Sequence, residues 1–169
     1  MRPFAAICFL GLLYAPHDAP SQSAKAQPDP AASHTDSKSY EYKNSKYGFT
    51  FLLPASWKGC RIVEDTWGGY TNTEHGDETV ESGPQINIVN PRGKKSDQYQ
   101  DISIMVFTLR QWKSLQDEKF FVSAAPIGPG ELGRNGKYVF AIPPRMINPE
   151  LDGAEEIENI MKLNPLHAF

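Results

Sequence analysis

The chain has 169 residues and a formal net charge of −3 at pH 7, with 17 basic and 20 acidic side chains. Mild acidity of this kind argues against a nucleic acid or another polyanion as the partner. Hydrophobic residues make up 40% of the sequence and aromatic residues 11%, which is enough for one core of ordinary size. We therefore expect a single globular domain that does not bind nucleic acid.

The N-terminus has the three parts of a signal peptide. Arg2 supplies a positive charge, residues 4–15 form an uncharged apolar run, and Ala24 and Ala26 place small residues where a signal peptidase reads them. The apolar run is shorter than the roughly 20 residues that a membrane-spanning helix needs. We predict that residues 1–26 are cleaved, that the protein is exported to the periplasm or beyond, and that no transmembrane segment remains.

The rest of the chain divides into a leader and a domain. Residues 27–39 contain almost no large apolar side chain, so we expect a flexible leader there. Residues 40–169 are expected to form a single α+β domain. Cleavage would remove Cys8 and leave Cys60 as the one cysteine, which excludes an intrachain disulfide. Cys60 is then either buried or available for an intermolecular disulfide, and its apolar neighbours favour burial.

The first half of the domain has the alternating pattern of β-strands. Strands are predicted from Tyr40, over residues 49–53, over residues 60–70 and over residues 85–89. Trp57 follows the proline that ends the second of these strands, and we expect it to lie under the sheet. Residues 71–83 are polar and acidic and are predicted to form a loop at one end of the sheet.

Residues 102–107 (ISIMVF) are apolar on both faces of a strand. One face carries Ile102, Ile104 and Val106, and the other carries Met105 and Phe107. A strand of this kind is covered on both sides. We predict that it lies at the centre of the sheet.

Two helices are predicted from capping boxes and apolar stripes. Thr108, with Gln111 three residues later, forms a capping box at the start of a helix with Leu109, Trp112 and Leu115 on one face. Asp152 with Glu155 forms a second box at the start of a C-terminal helix that ends at Asn164–Pro165. Short strands are expected over 120–124 and 137–141, joined by a glycine-rich loop. Strands and helices do not alternate regularly, so an antiparallel sheet with helices packed on it is the expected architecture.

Several segments resemble known sequences. Residues 47–57 (YGFTFLLPASW) resemble the opening hairpin of the PsbP/Mog1-like superfamily. The longer segments YGFTFLLPASWKG, QDISIMVFTLRQW, VSAAPIGPGELGRN and KYVFAIPPR are similar to those of a group of short exported bacterial proteins of unknown function. The resemblance implies a PsbP/Mog1-like α/β/α sandwich and an accessory or binding role without a shared catalytic set. It transfers no site residue, and nothing in the sequence supports a photosynthetic role.

The acidic segment around His75 is a candidate metal site. Glu74, His75 and Asp77 combine carboxylates with an imidazole, which divalent cations accept. The spacing matches no EF-hand loop, and a solvated loop whose charges suppress edge pairing is the structural alternative. A small hydrolase or metal-dependent enzyme built on residues 74–81 is therefore the alternative function.

Two further groups are candidates for binding a ligand or partner. Glu131, Arg134 and Asn135 lie in the glycine-rich loop, where Glu131 and Arg134 would either clamp a ligand or pair with each other. Trp67 and Tyr70 would anchor a sugar or a protein if exposed, although aromatic residues are more often part of a core.

The sequence favours an exported, non-enzymatic protein that binds a partner protein or small molecule, and it predicts no cofactor. An assembly factor held at an envelope surface by residues 27–39 is a third hypothesis.

Overall fold

The computed structural model describes residues 39–74, 76–95, 99–124 and 127–169. The predicted signal peptide, the leader up to residue 38 and His75 therefore lie outside the described residues. In chain order the strands and helices are β1 (Tyr40–Asn44), β2 (Phe49–Leu53), β3 (Arg61–Thr73), β4 (Gly76–Val89), β5 (Ile102–Thr108), α1 (Leu109–Gln116), β6 (Gly130–Arg134), β7 (Tyr138–Ile142), α2 (Ala154–Lys162) and β8 (Leu166–Ala168).

The strands form two antiparallel sheets. The larger sheet has the order β3-β4-β5-β7-β6, and the smaller has the order β1-β2-β8. With two helices packed against these sheets, the predicted α+β class is confirmed. The smaller sheet was not expected, because its third strand has only three residues and follows a proline directly.

The strand β5 lies at the centre of the larger sheet, as its two-sided apolar pattern predicts. Ile102, Ile104 and Val106 on one face are at most 1% exposed, and Met105 and Phe107 on the other are at most 3% exposed. The first set belongs to a core beneath the smaller sheet and α2, and the second to a core beneath α1. A single strand therefore contributes to both cores.

The core beneath the smaller sheet is rich in aromatic residues. Phe49 and Phe51 of β2 are fully buried there, and the Phe49 ring lies 4.8 Å from that of Phe140 on β7. Ile157 and Ile160 of α2 complete this core. Trp57 is also fully buried in it, as predicted from the proline that precedes its turn.

The core beneath α1 is built around Trp67. Its ring centroid lies 4.4 Å from that of Phe107 and 6.1 Å from that of Phe120, which is stacked parallel to it. Its indole nitrogen donates a 3.0 Å hydrogen bond to the carbonyl of Val106. Trp112 of α1 also packs against Phe107, with their centroids 5.3 Å apart. This cluster fixes β3 and α1 to the same face of β5.

The two predicted capping boxes have different outcomes. At α1 the box is present. Thr108 Oγ1 accepts a hydrogen bond from the backbone N–H of Gln111, and Gln111 Oε1 accepts one from the backbone N–H of Thr108. At α2 the prediction was wrong. The helix begins after Gly153, whose φ of +84° favours glycine, and no side chain caps it. The backbone carbonyl of Asp152 instead accepts a 2.9 Å hydrogen bond from the backbone amide of Gln100, and Asp152 lies outside the helix.

Four further predictions are corrected by the structure. Residues 71–83 are not a loop, because the β3–β4 ladder stays paired to its last pair, Thr73 with Gly76. Residues 130–134 form β6 and not part of a loop. Residues 120–124 do not form a strand, since only Phe121 makes a bridge, with Tyr70. In α1, Leu109 is 43% exposed and so does not share the buried stripe.

We expect Gly83→Ala to destabilise the fold, because a Cβ at this position would lie 2.5 Å from the Trp67 ring. Crowding of this kind costs about 1–3 kcal/mol in a packed core. Gly68→Ala is the matched control in the same hairpin, since a Cβ there meets nothing within 4 Å. Urea unfolding followed by tryptophan fluorescence would measure both variants. Equal free energies of unfolding for the two would contradict the packing described for Trp67.

Candidate functional site

Glu131 and Arg134 form an ion pair with each other on β6. Arg134 Nε donates to Glu131 Oε1 at 2.7 Å, and a second guanidinium nitrogen contacts Oε2. This hydrogen bonding raises the pKa of Arg134 above its ordinary value. The guanidinium therefore already binds a carboxylate within the protein. Of the two arrangements expected for Glu131 and Arg134, the structure has the one in which they pair with each other. A ligand carboxylate would have to displace Glu131.

The neighbouring Asn135 connects distant parts of the chain. Its amide nitrogen donates to the carbonyls of Tyr47, Gly48 and Phe169 at 3.0 to 3.3 Å. Its side-chain oxygen accepts from the backbone amides of residues 137 and 138, both at 2.9 Å. Donors and acceptor are all used in these contacts. Asn135 therefore acts as a clamp between the β1–β2 turn, the β6–β7 turn and the end of the chain.

Trp67 and Tyr70 do not form a joint surface. Trp67 is 3% exposed and belongs to the core beneath α1. Tyr70 is half-buried, and its backbone exchanges two 2.8 Å hydrogen bonds with Phe121. Trp67 is therefore a core residue, and Tyr70 is an edge-strand residue whose backbone pairs with the segment around Phe121.

Two of the three predicted metal ligands, Glu74 and Asp77, lie at the tip of the β3–β4 hairpin. Glu74 occupies the turn and Asp77 pairs with Asn72 across the ladder, and both carboxylates are exposed. The third predicted ligand, His75, lies outside the described residues. Within the described ranges, no group of three or more histidine, cysteine, aspartate or glutamate side chains has an arrangement suited to a metal ion.

Cys60 is half-buried beside Tyr40 and is a free thiol. Burial raises the pKa of this thiol, and a hydrogen bond with Tyr40 opposes that rise to a lesser extent. A thiol whose pKa is raised stays protonated at neutral pH, whereas the thiolate is the nucleophile. Its surroundings are therefore those of a structural cysteine.

An apolar groove, which sequence reasoning missed, lies between the end of β2 and the exposed side of α2. We call it the β2–α2 groove, and its volume is about 670 Å³. Leu163 at its rim is 81% exposed, an unusual exposure for a leucine. The groove is lined by Ser39, Leu52, Leu53, Pro54, Glu155, Glu156, Asn159, Ile160, Leu163 and Pro165.

The polar groups of the β2–α2 groove differ in what they contact. Glu156 is ion-paired with Arg92 and accepts a 2.9 Å hydrogen bond from Ser56. Asn159 accepts a 3.2 Å hydrogen bond from the Lys162 ammonium. Glu155 has no ion-pair partner in the part of the chain that the structure describes.

One sequence signal for the groove exists in the segment Phe51-Leu52-Leu53. Alternation in β2 buries Phe51 and Leu53 and therefore turns Leu52 to the opposite face. A large apolar side chain on that outer face adds apolar surface to the groove. The α2 side of the groove has no such signal, because Leu163 follows the last helical turn.

Among the described residues, no helix has the length and apolar character needed to cross a membrane. Comparisons with protein-family models, curated proteins and solved structures gave no match to this chain.

We predict that Asn135→Ala destabilises the domain by about 2 kcal/mol, since several partly buried hydrogen bonds, each worth about 1 kcal/mol, are lost. Arg134→Ala, one residue away, should leave the unfolding midpoint unchanged because its ion pair is exposed. Thermal and urea unfolding would compare the two variants. A larger loss of stability for Arg134→Ala than for Asn135→Ala would contradict the clamp.

Proposed function

We propose that this chain is an exported, non-enzymatic binding protein with a PsbP/Mog1-like α/β/α sandwich, and that the β2–α2 groove is its ligand site. The observation that carries the proposal is the groove itself, an open apolar depression beside a well-packed core. The sequence resemblance of residues 47–57 and the signal-peptide pattern support the family and the export.

The size and lining of the β2–α2 groove suit a ligand that is mainly apolar. Binding sites for small molecules have volumes of roughly 300–1,000 Å³ and apolar walls with a few polar groups. Leu52, Ile160 and Leu163 supply apolar walls, and Glu155 and Asn159 supply polar groups at the rim. Covering Leu163 would remove a large apolar side chain from water, which is a direct source of binding free energy.

The alternative, a metal-dependent enzyme on residues 74–81, is less well supported. Glu74 and Asp77 are exposed at the tip of a two-stranded ribbon, where water is not excluded. Glu81, farther along the same ribbon, already has partners within the protein. It accepts a hydrogen bond from the Gln111 side chain and forms an ion pair with Arg110. These contacts fix the ribbon to α1, and they favour a structural role for Glu81.

Leu163→Asp should weaken the binding of a neutral apolar dye such as Nile red by about tenfold, because it places a charge in the apolar wall. Stability should change little, since the side chain is 81% exposed in the unliganded protein. Leu109→Asp is the control, an exposed leucine on the other helix. Fluorescence titration measures the binding. Equal affinities for both variants and the native protein would overturn the groove as the ligand site.

Export predicts that the mature protein begins at Gln27. Expression of the full chain in a bacterial host, followed by fractionation and N-terminal sequencing, should find this terminus outside the cytoplasm. Replacing both Ala24 and Ala26 by tyrosine should block cleavage, because a signal peptidase requires small residues there. An unprocessed native chain retained in the cytoplasm would contradict the proposal of export.

A further inference from the structure

We infer that the β2–α2 groove takes a short, extended peptide segment with a lysine or arginine three or four residues from a large apolar side chain. This inference rests on the proposed function and names the ligand class of the same site. It follows from the distribution of charge and apolar surface along the groove.

One unpaired carboxylate lies on the α2 wall of the β2–α2 groove, and a second lies beside Leu52 of the other wall. Glu155 is exposed on the α2 wall, and Glu41 of β1 lies directly opposite Leu52 of β2, with its side chain exposed. Neither has an ion-pair partner among residues 39–74, 76–95, 99–124 and 127–169. Residues opposite each other on paired strands have Cβ atoms about 5 Å apart, so Glu41 lies beside Leu52 without itself lining the groove.

The groove is polarised along α2. Glu155 lies in the first turn of the helix, whereas Leu163 follows its last turn and Lys162 donates to Asn159 nearby. Negative charge is therefore found at one end, and apolar surface with one ammonium group at the other. A ligand with a positive group at the Glu155 end and an apolar group at the Leu163 end matches both ends.

The separation of the two ends sets the spacing in the ligand. Glu155 and Leu163 are eight residues apart, which corresponds to about 12 Å along a helix axis. An extended peptide rises about 3.3 Å per residue. A basic residue and an apolar residue three or four positions apart therefore span the groove.

Other occupants match the groove less well. Residues 27–38 of this chain contain no large apolar side chain that would cover Leu163. A second copy bound through a two-fold axis would bring the same surface against itself, so the carboxylates at Glu41 and Glu155 would face like charges. A neutral lipid or dye would cover the apolar wall but would leave both carboxylates without a partner.

The test uses two labelled pentapeptides, each with two glycines followed by phenylalanine and leucine. One begins with lysine and the other with glutamate, and both are capped at their ends. The lysine peptide should bind the native protein at least fivefold more tightly by fluorescence anisotropy at low salt, and added salt should reduce the difference. Glu155→Gln should weaken the lysine peptide by about threefold, a larger change than it makes in the binding of Nile red, because the dye is neutral.

Glu158→Gln is the matched control, because Glu158 is an exposed glutamate of α2 that does not line the groove. It should change neither affinity. If both peptides bind equally, or neither binds, while Leu163→Asp still weakens Nile red, the ligand class is wrong and the groove remains a binding site. If Leu163→Asp has no effect on Nile red, the proposed function itself fails.

Discussion

The structure depends on the burial of both faces of β5. Its five large apolar side chains are at most 3% exposed, and together they contribute on the order of 10 kcal/mol to folding. That amount is comparable with the whole net stability of a typical domain, which is about 5–15 kcal/mol. Because β5 is shared by both cores, neither the smaller sheet with α2 nor the Trp67 cluster with α1 could form a stable unit without it.

The features that were predictable from the sequence depend on local patterns. Two-sided apolar alternation placed β5, and a threonine and a glutamine three residues apart placed the start of α1. Two of the errors, over residues 71–83 and 130–134, arose in paired strands whose composition does not resemble that of a strand. The outer part of the β3–β4 hairpin is polar and exposed, and β6 contains two glycines, so both segments have the composition of loops. The backbone hydrogen bonds that make these segments strands leave no alternation of apolar and polar residues in the sequence, so the strands were not predictable from it.

The candidate site was harder to predict, for a related reason. The β2–α2 groove combines Ser39 with residues 52–54 and with side chains of α2 that lie about 100 positions later, and only tertiary structure brings them together. Asn135 shows the opposite problem. A polar side chain in a glycine-rich segment has the same sequence signal whether it binds a ligand or, as here, the carbonyls of distant backbone segments.

The smaller sheet has a consequence for the timing of folding. Thr50 of β2 and His167 of β8 are paired although they are 117 positions apart in the sequence. Contacts between such distant positions form slowly, because a long stretch of chain must first be ordered. A polypeptide emerging from the ribosome also lacks β8 until residues 166–168 are synthesised, after every other described strand. Under the proposed export, this delay would leave the smaller sheet incomplete while the precursor is threaded through a secretion channel.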